Sequence, residues 1–117
     1  YEKVKENKNM EKLYNFNQSK EKLIEKIIDD DVLMVNHIIF NKDEFLPEHN
    51  SNSNVYMVVA RGTLTLQLSE NPAKEYAHGS IVNIPGGVKM NVSNRNEEQL
   101  EFFVLKAPSP RLYKQAN

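Results

Sequence analysis

The sequence predicts an all-β domain, a sandwich or barrel of short antiparallel strands. Three observations carry that expectation. From Asp31 onward, runs rich in β-branched and aromatic residues recur at close spacing: Val32 to Phe40, Val55 to Arg61, Thr63 to Leu68, Ile81 to Ile84, Lys89 to Val92 and Leu100 to Leu105. Within one of them, Thr63, Thr65 and Gln67 alternate with Leu64, Leu66 and Leu68, the period-two pattern of a strand with one buried face. Between the runs stand turn formers, Asn71-Pro72, Gly79, Pro85-Gly86-Gly87 and Asn94-Arg95-Asn96, which supply a fixed proline φ or tolerance of positive φ.

Taken in order, residues 1 to 22 are rich in Lys, Glu and Asn and hold few apolar groups to offset the entropy of ordering, so they are expected to form a polar N-terminal arm. Met10 is a candidate start of the native chain. Leu23, Ile24, Ile27 and Ile28 have the spacing of one face of a short helix, while the same β-branched residues equally suit the opening of a strand, and both readings stand. Residues 23 to 107 then form the barrel, interrupted by the Asn/Ser-rich loop Asn50 to Asn54. Pro108 and Pro110 lack the N–H that a ladder requires, so residues 108 to 117 read as a C-terminal tail.

A chain of 117 residues suits one domain with one core of moderate size. Lys and Arg number 15 against 16 Asp and Glu, so no overall basic field draws in nucleic acid or an anionic membrane, and neither is expected as a partner. The absence of Cys excludes disulfides, thiolate metal sites and a cysteine nucleophile. No stretch approaches the roughly 18 to 20 consecutive apolar residues of a membrane helix, and Tyr1 to Asn9 lack the apolar centre of a signal peptide. A cytoplasmic location is the expectation.

The stretch from Asp43 through His49, Ser51 and Val55 to Gly62 resembles the first motif of the cupin superfamily, G-x5-H-x-H-x3,4-E-x6-G. His49 falls at the first histidine and Gly62 at the closing glycine, while Ser51 replaces the second histidine, Val55 the glutamate and Asp43 the opening glycine. The second motif, G-x5-P-x-G-x2-H-x3-N, is matched by Gly79, Pro85, Gly87 and Asn94, with Met90 in place of its histidine. The resemblance covers residues 32 to 107 and is to small single-domain cupins. It implies a double-stranded antiparallel β-barrel, the cupin jelly roll, with a short N-terminal arm or helix, and pairing into a homodimer. A strand at Val32 to Phe40 with an unpaired edge would give such a partner something to cover.

Metal-binding members of that family use three histidines and a glutamate, and those four positions read His49, Ser51, Val55 and Met90 here. Divalent first-row metals favour imidazole and carboxylate, so one good donor remains and no metal cofactor is expected, the alternative being a weakly bound divalent metal. The resemblance points His49 into the barrel, as a polar contact, a general base or simply a hydrogen-bonded pocket histidine. Val55, Met57 and Met90 are expected to give the interior an apolar wall or to fill it outright, and Ser51 to add a polar contact. Asn50 to Asn54 read first as ordinary loop formers, Asp29 to Asp31 as a solvated turn, His78 as a turn residue facing solvent and His37 as a surface or interface residue. The functional expectation is therefore a barrel that binds a small organic molecule through His49, Ser51, Val55, Met57 and Met90. The alternative is an enzyme using His49, either metal-dependent with other ligands or a metal-free isomerase or lyase. A third reading is a filled barrel that acts through protein contacts.

Overall fold

The computed structural model describes residues 10–116 and is built almost wholly of strands. These are β1 (Leu23–Asp29), β2 (Met34–Phe40), β3 (His49–Asn50), β4 (Val55–Arg61), β5 (Thr63–Leu68), β6 (Lys74–Ala77), β7 (Ile81–Ile84), β8 (Lys89–Ser93) and β9 (Leu100–Lys106). A single-turn-scale helix, α1 (Arg111–Ala116), follows, where the sequence suggested only a tail. The strands form a five-stranded sheet in the order β1-β2-β9-β4-β7 and a four-stranded sheet in the order β3-β8-β5-β6. Every pairing is antiparallel, as the double-stranded barrel requires.

Of the two readings open for Leu23 to Ile28, the strand is the one adopted. β1 pairs with β2 from Leu23 opposite Ile39 to Asp29 opposite Met34, with a bulge between Lys26 and Ile28. Two isolated helical turns would satisfy few backbone groups, whereas the ladder satisfies them along the strand and lets the β-branched side chains pack on a pleated surface. Consequently β2 lies between β1 and β9 and has no unpaired edge, contrary to the expectation for Val32 to Phe40. β6 was not foreseen because its sequence, Lys74-Glu75-Tyr76-Ala77, has no apolar alternation: it borders the smaller sheet and turns mostly to solvent.

The core fills the space between the sheets with alternate residues of each strand. Ile38 and Phe40 come from β2, Val55, Met57 and Val59 from β4, Leu64 and Leu66 from β5, Met90 and Val92 from β8, and Leu100, Phe102 and Val104 from β9. Period-two alternation thus assigns the even positions of β9 inward, and Lys106, next in that series, shares the inner face.

Two turn positions show how the backbone is held. Gly62 has φ +79, and a Cβ there would sit 2.5 Å from the Gln99 carbonyl oxygen, so glycine is required both by conformation and by space. Asp43, standing where the resemblance expects a glycine, has φ 68. The left-handed conformation is retained with an aspartate in it, one of the few residue types that tolerates it. Asn94 ties this corner together: its buried side-chain amide donates to the Phe40 carbonyl at 3.1 Å and the Glu98 carbonyl at 3.0 Å, and its Oδ1 accepts from the Asn96 N–H at 3.0 Å.

Candidate functional site

A cavity of about 110 Å³ lies between the two sheets at one mouth of the barrel. The larger sheet contributes Ile24 from β1, Asn36 and Ile38 from β2, Val55 and Met57 from β4, and Val104 and Lys106 from β9. The opposite wall is His49, Met90 and Leu46, with Ser51 and Asn52 at the loop. All five residues singled out in the sequence therefore line one space. Leu64, Val92, Leu100 and Phe102 pack the core beyond it.

His49 stands at the rim, exposed, opposite Met90 in the β3–β8 ladder. Its Nδ1–H donates to the Pro47 carbonyl at 2.8 Å, a group that can only accept, so in the neutral ring Nε2 carries the lone pair. Ser51 is buried, and its hydroxyl donates to the Pro85 carbonyl at 2.7 Å while accepting from the Val88 N–H at 3.0 Å. It braces the loop before β4 against the turn after β7, and its one donor is already committed. Ser53 and Asn54 are similarly occupied, by the Pro108 carbonyl and by the Ala107 carbonyl and Asn83 amide respectively. The polar loop is thus mainly a structural tie, with Asn52 its further polar contribution to the cavity wall.

Sequence reasoning missed Lys106, Asn36 and Ile24. Lys106 was legible in principle, because Phe102, Val104 and Lys106 recur at period two. The Lys106 ammonium is half-buried, and among the described residues no carboxylate lies within ion-pair distance of it. Burial, and then the nearby charge of Lys26, push it below the usual lysine range. Lys26 is on the same inward face of β1, opposite Asn36. Its own partner is the exposed Asp29 at 3.5 Å.

The fold family implies a metal at His49, Ser51, Val55 and Met90. These residues do not fit one. Val55 has no donor atom, the Ser51 oxygen is held by two backbone groups, and a thioether is a poor ligand for the divalent first-row metals. Among the described residues there is no cluster of three or more His, Asp or Glu able to hold an ion elsewhere.

The histidine expected at the surface is instead fully buried. His37 lies on the outer face of the larger sheet, with Nδ1 2.8 Å from Glu25 Oε2 and Nε2 2.6 Å from Glu101 Oε2. In its doubly protonated form the ring donates to both carboxylates at once. Arg61 approaches Glu101 at 3.7 Å, and the His37 ring is flanked by Phe16 and Phe103 at centroid distances of 4.7 and 4.8 Å. The cause is physical: Phe16 and Asn17, from the described part of the polar segment, pack against the outer face of the sheet. Asn17 donates to Glu25 from both its backbone and its side chain, at 2.9 and 2.8 Å. These bonds, the backbone one foremost, hold the Glu25 carboxyl below the usual carboxylate range. His78 is exposed in the turn before β7, and Asp30 caps its own turn through the Val32 and Leu33 N–H groups.

Among the described residues no helix is long and apolar enough to cross a membrane. No protein-family profile matches the chain. An uncharacterized protein of Methanocaldococcus jannaschii is 40% identical over 103 residues, covering 87% of this chain and 89% of that one. The crystal structure from the same organism described as an RmlC-like cupin family protein with a double-stranded β-helix fold superposes with a TM-score of 0.86 at 38% identity, over 91% of this chain and 98% of that one. A cupin domain from Bordetella pertussis matches with a TM-score of 0.65 at 19% identity, over 79% of this chain and 98% of that one. The Cnp3 cupin domain of Schizosaccharomyces pombe gives 0.70 at 11% identity, over 86% and 74%. At such identities the last two share the fold alone.

Proposed function

This chain belongs to the RmlC-like cupin family, and from that membership we propose that it binds a small organic molecule in the cavity between its sheets, without a tightly bound metal. The observation that carries this reading is the composition of the cavity wall: seven apolar side chains, with a few polar groups, His49, Ser51, Asn36, Asn52 and Lys106, placed around them. Small-molecule sites have this character, an apolar lining with a few oriented polar groups. The volume of about 110 Å³ is below that of drug-sized sites and suits a ligand of roughly four to seven non-hydrogen atoms. Native mass spectrometry combined with thermal-shift screening of a broad metabolite set tests it. A ligand that raises the melting temperature, and loses that effect when Val104→Phe fills the cavity, is the expected result. No stabilising ligand from the whole set would overturn the reading.

A second reading, an enzyme, is favoured by the His49 geometry: with Nδ1–H committed to Pro47, the neutral ring presents its Nε2 lone pair as a general base at the rim. Elemental analysis separates its two forms. A stoichiometric transition metal that disappears in His49→Ala supports a metal-dependent enzyme with other ligands, and a metal-free protein leaves acid–base isomerase or lyase chemistry. The reading also includes a homodimer and a cytoplasmic location. Tyr56 and Ile81, exposed side chains of neighbouring strands β4 and β7, give a second copy apolar surface to cover. Light scattering at micromolar concentration decides this, and a monomer there ends the dimer proposal.

A further inference from the structure

We propose that the occupant of the cavity is a short-chain monocarboxylate, its carboxylate paired with the Lys106 ammonium and its hydrocarbon part packed on Val55, Met57, Met90 and Val104. The proposal rests on the pocket reading above and names the ligand class for it.

Lys106 carries the argument. Its neighbours along β9, Phe102 and Val104, are core residues, and period-two alternation turns its stem to the same inner face. An ammonium drawn half out of water ordinarily acquires a carboxylate partner, because desolvating a charge without compensation is costly. Among the described residues there is none: the acidic residues of the nearby strands are engaged elsewhere, Glu25 and Glu101 with His37 on the opposite face of the sheet, and Asp29 with Lys26 and Arg111. Lys26, on the inward face of β1 and paired with Asp29, lies near enough for its field to add, after burial, to the depressed Lys106 ionisation. The mouth therefore holds one ammonium, Lys106, that has no carboxylate partner among the described residues, in a wall that is otherwise mainly apolar.

Size and donor number narrow the class. A phosphate ester needs several convergent donors for a dianion, usually arginine or a run of backbone N–H groups, and one lysine with two amides does not provide them. A carboxylate carries a single charge and fits one ammonium. The apolar walls and the small volume leave room for a short aliphatic chain and little more.

The test is a calorimetric titration of the full chain with isobutyrate and 3-methylbutanoate, each matched to its primary amide, using the wild type and Lys106→Met. Saturable carboxylate binding is expected, at least about tenfold tighter than the amide and weakened at least about tenfold by Lys106→Met, so that the preference for acid over amide is lost in the variant. Should the variant fail to fold, the wild type alone still decides: with lysines reductively labelled by ¹³C-methyl groups, the Lys106 resonance must shift with the carboxylate and not with the amide. Equal affinity for acid and amide, or carboxylate binding indifferent to Lys106, overturns the carboxylate assignment and leaves the pocket reading in place. A wild-type protein that binds no member of the series also overturns the assignment, and the broad metabolite screen then judges the pocket separately.

Discussion

At the scale of single residues, the polar groups divide into those that hold the barrel and those that face its cavity. Asn94 belongs wholly to the first kind. Three hydrogen bonds from one buried side chain satisfy the Phe40 and Glu98 carbonyls and the Asn96 N–H. Asn94→Ala leaves these groups without their partner and is expected to cost roughly 2–3 kcal/mol, readable as a lower urea midpoint at unchanged slope. The residue was legible as the last position of the second motif, although a motif letter alone does not say what it bonds. Ser51 is a subtler case. It lines the cavity where the sequence suggested, yet its hydroxyl is spent on Pro85 and Val88. Backbone carbonyls approaching from another turn leave no mark in a sequence. His37 was misread for a related reason: its partners, Glu25 and Glu101, are distant along the chain, and only the presence of ionisable residues inside the apolar runs around His37 and Glu101 hinted that they would meet.

At the scale of elements, turns and the arm respond to different stresses. Gly62 and Gly79 both have positive φ, but a Cβ meets the Gln99 carbonyl at 2.5 Å in the first and nothing within 4 Å in the second. Gly79→Ala is therefore expected to cost about 1 kcal/mol from backbone strain alone, and Gly62→Ala roughly 2–4 kcal/mol, since strain and overlap combine. Thermal unfolding of the two variants side by side checks the difference. The arm depends on charge. Glu25 accepts two hydrogen bonds from Asn17 and its folded-state ionisation lies below the ordinary carboxylate value, so it stabilises the docked arm above that ordinary value. The stabilisation is lost as pH falls through the depressed folded value. Faster exchange of the Asn17 amide and altered Phe16 ring resonances below the usual carboxylate range are expected, at pH values where core amides remain protected. Docking of a polar arm was not legible, because Phe16 and Asn17 act through contacts with β1, β2 and β9 rather than through any periodicity of their own.

At the scale of the whole molecule, the strand runs and turns were readable because alternation and glycine placement are local properties. β4, β5 and β7 begin and end where their apolar runs do. β3, a two-residue strand, and β6, a polar one, were invisible because tertiary pairing defines them. The same division separates frame from contents. Asp43 keeps a glycine's conformation without the glycine, and His49, Ser51, Val55 and Met90 remain grouped around one cavity although three of them are not metal donors. The scaffold is in this sense a socket whose shape does not depend on its fittings, and it should accept metal donors placed at these positions. The combined replacement Ser51→His, Val55→Glu and Met90→His is expected to take up one equivalent of a divalent first-row metal, measured by elemental analysis after gel filtration, at a cost in stability of about 1–3 kcal/mol for the lost Ser51 brace. If so, a metal centre lies three substitutions away from this sequence, and the barrel would serve a designer as a frame on which such a centre can be built.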